Sequence, residues 1–346
     1  MTTNEKYKDK GLSGMANLGN TCFINSCMQV LSHTQQLNEV LDDNNLSNKL
    51  NKVVDSLIIL EWNNLRKMLW ENNCVISPAK WINTIHKVAK SKGALLFTEY
   101  SQNDSHEFML FILDCFHNSL KREVEMNIKG NVECEQDKLA ISCYKMIKNI
   151  YENEYSEIVN IFFGIHVSQI SDVDNKVLSF NPEPFLNIDI PIPDKKNVNI
   201  IDCLNEYINY DLLLGENQWY YEKENKKIDA KKNIVFWSLP DIFIITFKRF
   251  KNTLKKNQKL IDFPLTDLDL SSYIKGYNKN SYNYDLYGII NHSGNLLGGH
   301  YWSYIKNANG KWYTFNDTIV QNIDTQNIHK LVSPNAYCLF YKKKIN

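Results

Sequence analysis

The sequence predicts an α+β protein whose working site lies between a helical first half and a strand-rich second half. Three observations carry this. Apolar residues recur at three- and four-residue steps up to Asn160. From Ile234 onward, short β-branched and aromatic runs alternate with turn signals. No internal repeat or Gly/Ser-rich linker divides the chain, and 346 residues with 43% hydrophobic content can bury a sizeable core.

The stretch 11–29, GLSGMANLGNTCFINSCMQ, opens as a loop rich in Gly and Asn and turns helical at Cys22. Ile24, Cys27, Met28 and Leu31 share one face. A cysteine at a helix start sits among unpaired N–H groups at the positive end of the dipole, which is expected to lower its pKa and favour the thiolate. A buried structural cysteine is the competing reading, and the local sequence leaves both open. Positions 46–70 carry Leu50, Val53, Val54, Leu57, Ile58, Trp62, Leu65 and Leu69 at helical spacing. Pro78 is expected to open a helix with Trp81, Ile82, Ile85 and Val88 inside. Asp104-Ser105-His106-Glu107 has capping-box form, with Asp104 as N-cap and Glu107 as N3. Phe108, Phe111, Ile112, Cys115 and Phe116 follow as its apolar stripe. The segment 118–160 is charged and again helical in pattern.

After Gly164 the period shortens. Residues 165–192 hold β-like runs and a Pro-marked turn at Asn181-Pro182-Glu183-Pro184. The charge-dense stretch 222–232 is expected at an exposed hairpin tip or loop. Strands are predicted over 234–237, 242–247, 286–291, 301–305, 311–315 and 336–341.

A formal net charge of +0 argues against a general nucleic-acid or membrane-surface binder. Lys248, Arg249, Lys251, Lys255, Lys256 and Lys259 read as a solvated loop, and Lys342 to Lys344 likewise. The beginning, MTTNEKYKDK, lacks a signal-peptide core, and the run 242–247 is too short to span a bilayer. A cytoplasmic or nuclear setting is the expectation. The eight cysteines form no C-x-x-C pair and read as reduced thiols.

Gly298-Gly299-His300-Tyr301 precedes a strand, and the glycines permit close backbone approach just before the histidine. The chain turns at Asn307-Ala308-Asn309-Gly310 and returns as Lys311-Trp312-Tyr313-Thr314-Phe315, a hairpin. A turn centred there sets Asn316 or Asp317 opposite His300, within about 4.5–5.5 Å at Cβ. One residue of register moves the choice between the two. Thiol, imidazole and a side chain to orient the imidazole form the logic of thiol hydrolases. Asn17, on the loop before Cys22, offers an amide to an oxyanion.

At this point the chain resembles the ubiquitin-specific protease family of deubiquitinases. GLSGMANLGNTCFINSCMQVL is similar to that family's cysteine box, and YGIINHSGNLLGGHYWSYIKN with KWYTFND to its histidine box. SQNDSHEF (101–108), LPDIFIITFKRF (239–250) with IDFPLTDLDLSSY (261–273), and AYCLFY (336–341) match in the same order. The resemblance implies a papain-like superfamily fold with a helical thumb (about 11–165), β-rich fingers (about 166–240) and palm (about 241–346), after a polar tail at 1–10. It implies hydrolysis after the C-terminal Gly-Gly of ubiquitin. By position, Cys22 is the nucleophile, His300 the base, Asn316 the third member with Asp317 beside it, and Asn17 the oxyanion donor. Asp104 is implied to contact ubiquitin's basic tail, and Gly298, Gly299 and Tyr301 to line the channel for that tail. Gly294, Gly298 and Gly299 fall in what resembles a mobile loop over the channel, and 251–258 in a second.

The chain departs from many relatives at the fingers. Two C-x-x-C pairs that bind zinc there are replaced by QISDVDNK (169–176) and QWYYEKENKK (218–227). No metal and no cofactor is expected. The implied partners are ubiquitin and ubiquitinated proteins, together with a targeting or activating protein. Two alternatives share the fold: a protease for another ubiquitin-like modifier, and an inactive ubiquitin-binding protein.

Overall fold

The computed structural model describes residues 7–250, 255–277, 282–295 and 298–344. Its helical half holds α1 (Cys22–Ser32), α2 (Gln35–Leu41), α3 (Leu46–Lys49), α4 (Ser56–Glu71), α5 (Ala79–Lys92), α6 (Ser105–Leu120), α7 (Glu135–Glu154) and α8 (Glu157–Phe162). Helix α1 is buried at every position. Apolar packing alone does not fix a helix in register, and α1 adds directional bonds. The amides of Asn25 and Gln29, one turn apart, donate to the carbonyls of Met15 (3.3 Å) and Ser13 (2.8 Å). The Gly/Asn-rich entry segment is thereby laid along the helix that follows it. Phe23 meets Phe108 of α6 edge-on at 5.5 Å.

Two helical expectations are corrected. The periodic stretch 46–70 is two helices, because Leu50 is extended and Asn51 serves the end of α6. The Asn51 side chain donates to the carbonyls of Asn118 (2.9 Å) and Lys121 (2.8 Å), and its backbone N–H to that of Ser119 (2.8 Å). Those carbonyls have no partner within α6. In the charged stretch 118–160, the chain between α6 and α7 is not helical, and Gly130 there takes φ 137°. Helix α7 starts only where Cys134 and Asp137 form a capping box.

Strands β1 (Gly14–Met15) and β2 (Val75–Ile76) pair in parallel beside α1. Beyond α8 come β3 (Gly164–Ser171), β4 (Val177–Phe185), β5 (Asn187–Ile190), β6 (Val198–Asn199), helix α9 (Ile200–Ile208), β7 (Asp211–Leu213), β8 (Trp219–Tyr221), β9 (Lys226–Ile228) and β10 (Ala230–Ser238). Then follow β11 (Ile242–Phe247), β12 (Ile261–Asp262), β13 (Leu268–Asp269), β14 (Asn283–Asn295), β15 (Gly298–Lys306), β16 (Trp312–Asn316), β17 (Ile319–Ile323) and β18 (Ala336–Lys343). A four-stranded sheet has the order β4-β3-β10-β7, and a larger one β17-β16-β15-β14-β18-β11-β5, with β13 on β14.

The Pro-marked turn is also corrected. Asn181 to Pro184 lie inside β4, an edge strand, where a missing N–H is tolerated. The turn falls at 172–176 instead. There the Asp172 carboxylate accepts from the amides of Asp174 (3.0 Å) and Lys176 (2.9 Å), and Asn175 adopts φ 67°. Lys231 of β10 braces this turn through the Val173 carbonyl (2.9 Å) and Asn175 Oδ1 (2.8 Å). Trp219 and Tyr221 stack at 5.4 Å in the β8–β9 hairpin. Only 222–225 of the charge-dense stretch form its tip, and 226–228 and 230–232, expected at a tip or loop, lie in β9 and β10. Among the described residues, no group of three or more His, Cys, Asp or Glu is placed to hold a metal ion.

Strand β11 is buried at all six residues because both sheet faces are covered. Ile242 and Ile244 point into the core shared with the helices, while Phe243, Ile245 and Phe247 join a second core across the sheet. The basic cluster after β11 is not all solvated. Arg249 and Lys256 are buried, with Arg249 donating to the carbonyls of Ala336 (2.7 Å), Asn257 (2.9 Å) and Lys259 (2.9 Å). Burial lowers the Lys256 pKa to about 8. Lys251 lies outside the described residues. No helix among the described residues is long and apolar enough to cross a membrane.

Helix α1 reaches the large sheet at Gly288 of β14, where an added Cβ would lie 2.6 Å from Val30 Cγ1. Gly288→Ala is expected to push α1 off the sheet and to destabilise the protein by about 1–3 kcal/mol, as overpacking does. Urea denaturation measures this, and an unchanged midpoint would contradict the close approach.

Candidate active site

Cys22 is the first residue of α1 and is 4% exposed. The loop before it is folded around one amide oxygen. Asn17 Oδ1 accepts from the backbone N–H groups of Gly19 and Thr21, each at 3.1 Å, and from the Thr21 hydroxyl at 3.2 Å. Thr21 therefore spends its hydroxyl within the loop, although it stands at the N-cap of α1. Asn17 Nδ2 is left pointing out of the loop.

The expected low thiol pKa is corrected. Burial pushes the Cys22 thiol above its ordinary value. Backbone N–H groups of Tyr301, Phe23 and Cys22 itself pull the other way, and the Asp317 charge adds to the rise. The helix start does supply donors to the sulfur, but desolvation outweighs them.

The hairpin register settles which residue meets His300. Pairs Ser303–Phe315 and Lys306–Trp312 continue to a position where Thr318 would oppose His300. The expected direct opposition is corrected: neither Asn316 nor Asp317 stands opposite His300, Asn316 lies diagonally to it, and Asp317 belongs to the turn between β16 and β17. His300 Nε2 is 2.6 Å from Asn316 Oδ1. An amide oxygen only accepts, so Nε2 carries the proton and Nδ1 is the basic nitrogen of the neutral ring. Trp302, two residues along the strand, stacks on the imidazole at 6.2 Å with 18° between the planes.

Asp317 serves the opposite side of the seam. It takes left-handed φ 49°. Its carboxylate accepts from Asn25 Nδ2 (2.8 Å) and from Asn17 Nδ2 (3.0 Å), and its carbonyl from the Met15 N–H (2.9 Å). Strand β1 passes so close that a Cβ on Gly14 would lie 2.4 Å from the Thr318 carbonyl oxygen. Asn25 was not singled out by sequence reasoning. Its signal is a polar side chain on a helix that is buried all round.

Asp104 caps α6 through the N–H groups of His106 (2.7 Å) and Glu107 (3.3 Å). The reciprocal Glu107 bond of a capping box is not made. The second Asp104 oxygen accepts from the hydroxyls of Tyr337 (2.6 Å) and Tyr301 (3.4 Å). Tyr301 lies under the cleft, its ring 4.5 Å from His292. Gly299 is needed there, since a Cβ would lie 2.3 Å from His292 Nε2. A cleft of about 380 Å³ runs past Asn20, Cys22, Gln102, Asp104, His292 and Gly299. In the two loops that the resemblance sets over it, 251–254 and 296–297 lie outside the described residues.

A thiol carried on a buried helix and set against the strand that bears the imidazole is the frame of the papain-like cysteine hydrolases, here with a helical thumb, β-rich fingers and a palm. The chain belongs to the ubiquitin carboxyl-terminal hydrolase family, whose profile it matches over residues 13–341. It is similar to ubiquitin carboxyl-terminal hydrolase Usp2 of Drosophila melanogaster, at 32% identity over 343 residues. That match covers 97% of this chain and 35% of the relative. Ubiquitin carboxyl-terminal hydrolase 2 of Homo sapiens is 31% identical over 345 residues, with 96% and 55% covered. The chain thus spans about a third to a half of these relatives' length. The SAGA Ubp8/Sgf11/Sus1/Sgf73 DUB module solved with ubiquitin aldehyde is 25% identical, with a TM-score of 0.74 over 98% of this chain and 71% of that one.

Alkylation of Cys22 by iodoacetamide, followed by mass spectrometry against pH, reads the thiolate directly. In the protein alone the rate is expected to stay low at neutral pH and to climb only in alkaline solution, above the ordinary thiol pKa. A rate already at its plateau at pH 7 would contradict a thiol held neutral by burial.

Proposed function

We propose that this chain is a deubiquitinating cysteine hydrolase that cleaves the peptide or isopeptide bond after ubiquitin's C-terminal glycine. The observation that carries this reading is the His300–Asn316 bond, formed on the strand whose Tyr301 N–H meets the Cys22 sulfur. In this reading Nδ1 of His300 takes the Cys22 proton, and the thiolate attacks the glycine carbonyl carbon. The carbonyl π electrons move to oxygen, and that oxyanion is met by the second N–H of Asn17 Nδ2 and by the backbone N–H of Cys22. The imidazolium returns its proton to the departing amine as the C–N bond breaks. Water, deprotonated by His300, then attacks the thioester and releases the carboxylate and the thiol.

The neighbours of these groups support the assignment. Asn316 holds the tautomer of His300 without adding charge. Asp317 holds Asn17 by one amide hydrogen and leaves the other to the oxyanion. Asp104 fixes Tyr301 and Tyr337 beneath the cleft, so its contact with ubiquitin's basic tail would use only lone pairs left over from these bonds. Gly298 and Gly299 let the hairpin backbone pack closely against Gln102 and His292 at the channel wall, and a Gly-Gly tail is the substrate end that can pass such a backbone. The thumb takes in roughly 11–165, the fingers 166–240 and the palm 241–346, with β5 paired into the palm sheet from within the finger range. A targeting or activating partner fits a chain similar to Ubp8, which was solved with Sgf11, Sus1 and Sgf73. A cytoplasmic or nuclear setting follows from the same reading.

Labelling with ubiquitin bearing a C-terminal electrophile tests it. The parent protein is expected to form a covalent adduct on a gel, and Cys22→Ala none. Tight ubiquitin binding without an adduct would overturn the enzymatic reading, and preference for a probe built on another ubiquitin-like modifier would overturn the substrate.

A further inference from the structure

We infer that Gln102 is a gate residue whose side-chain amide occupies the place of a substrate-tail peptide group and must leave before the tail can enter. This rests on the ubiquitin-tail reading above for the identity of the tail, but not for the gate itself. Gln102 Oε1 accepts from the Gly299 N–H at 2.8 Å, and Gln102 Nε2 donates to Asn20 Oδ1 at 3.3 Å. Asn20 stands two residues before Cys22, and Gly299 one residue before His300. One side chain therefore spans the cleft between the loop of the nucleophile and the hairpin of the base.

The far end of the bridge is itself fixed. Asn20 takes left-handed φ 56° and donates through Nδ2 to the Tyr100 carbonyl at 3.0 Å. At the hairpin end the fit is close, since a Cβ on Gly298 would lie 2.4 Å from Gln102 Oε1. A primary amide presents the same atoms as a peptide bond: its carbonyl faces the hairpin N–H and its N–H faces the thumb loop. An extended tail of glycines offers nothing but such groups. It must compete for the Gly299 donor and for the space beside Gly298, the two places Gln102 fills. Gln102 is exposed, so it can swing outward without unpacking the core.

The gate predicts that removing the amide, or shortening its reach, frees the cleft. Gln102→Ala and Gln102→Asn are compared with the parent in two assays. Alkylation of Cys22 by iodoacetamide needs no ubiquitin and is expected to quicken about threefold in both variants, the size of one net hydrogen bond. With ubiquitin carrying a fluorogenic C-terminal amide, KM is expected to fall by a similar factor. Unchanged or slower alkylation in variants that melt with the parent would overturn the gate, as would a raised KM, which would make Gln102 a residue that binds the tail. If the parent fails to turn over ubiquitin while alkylation quickens in the variants, the gate stands and the ubiquitin reading falls.

Discussion

One carboxylate joins the two halves of this molecule at the site. Asp317, at the tip of the palm hairpin, accepts from Asn17 on the entry loop and Asn25 on α1, while its carbonyl accepts from Met15. Three separate stretches of the helical half thus converge on one residue of the sheet. Hydrogen bonds to a charged acceptor are stronger than neutral ones, and here they fix position as well as energy. The approach of Gly14 to Thr318 and the φ 49° of Asp317 follow from that convergence, since the hairpin must turn sharply to present its side chain to the loop. The adjacent residue, Asn316, faces the other way and holds His300. The last residue of β16 and the first of the turn after it therefore hold His300 and Asn17, the two groups proposed as base and oxyanion donor.

In the free protein the His300–Asn316 bond is in place, while burial raises the Cys22 pKa and Gln102 bridges the cleft. Desolvation disfavours the thiolate while no substrate is bound. A tail that displaces Gln102 would bring its carbonyl to the sulfur and give the developing charge its donors. In the proposed function, reactivity would then depend on occupancy of the cleft.

Part of this was legible in the chain. The 307–310 turn signalled the hairpin that carries His300 and Asn316, the Gly/Asn loop did give way to a helix at Cys22, and the run 242–247 became β11 with its predicted ends. What was not legible has physical causes. Local periodicity does not report Asn51 bonding to α6, so 46–70 read as one helix. Prolines signal turns unless the strand is an edge, which only the sheet order reveals for β4. Dipole reasoning sees a helix start but not its burial, so the thiol pKa was expected to move in the wrong direction. The choice between Asn316 and Asp317 rested on a single residue of register, set by pairs that the turn sequence alone does not fix.

The central claim is that Asp317 acts through Asn17. A double-mutant cycle on kcat for a ubiquitin amide substrate tests it most directly. Asp317→Ala and Asn17→Ala should each cost about 10²-fold or more, as loss of an oxyanion donor does, and the double variant should cost no more than the worse single one. Losses that multiply would show that the two residues act independently, and would contradict the account.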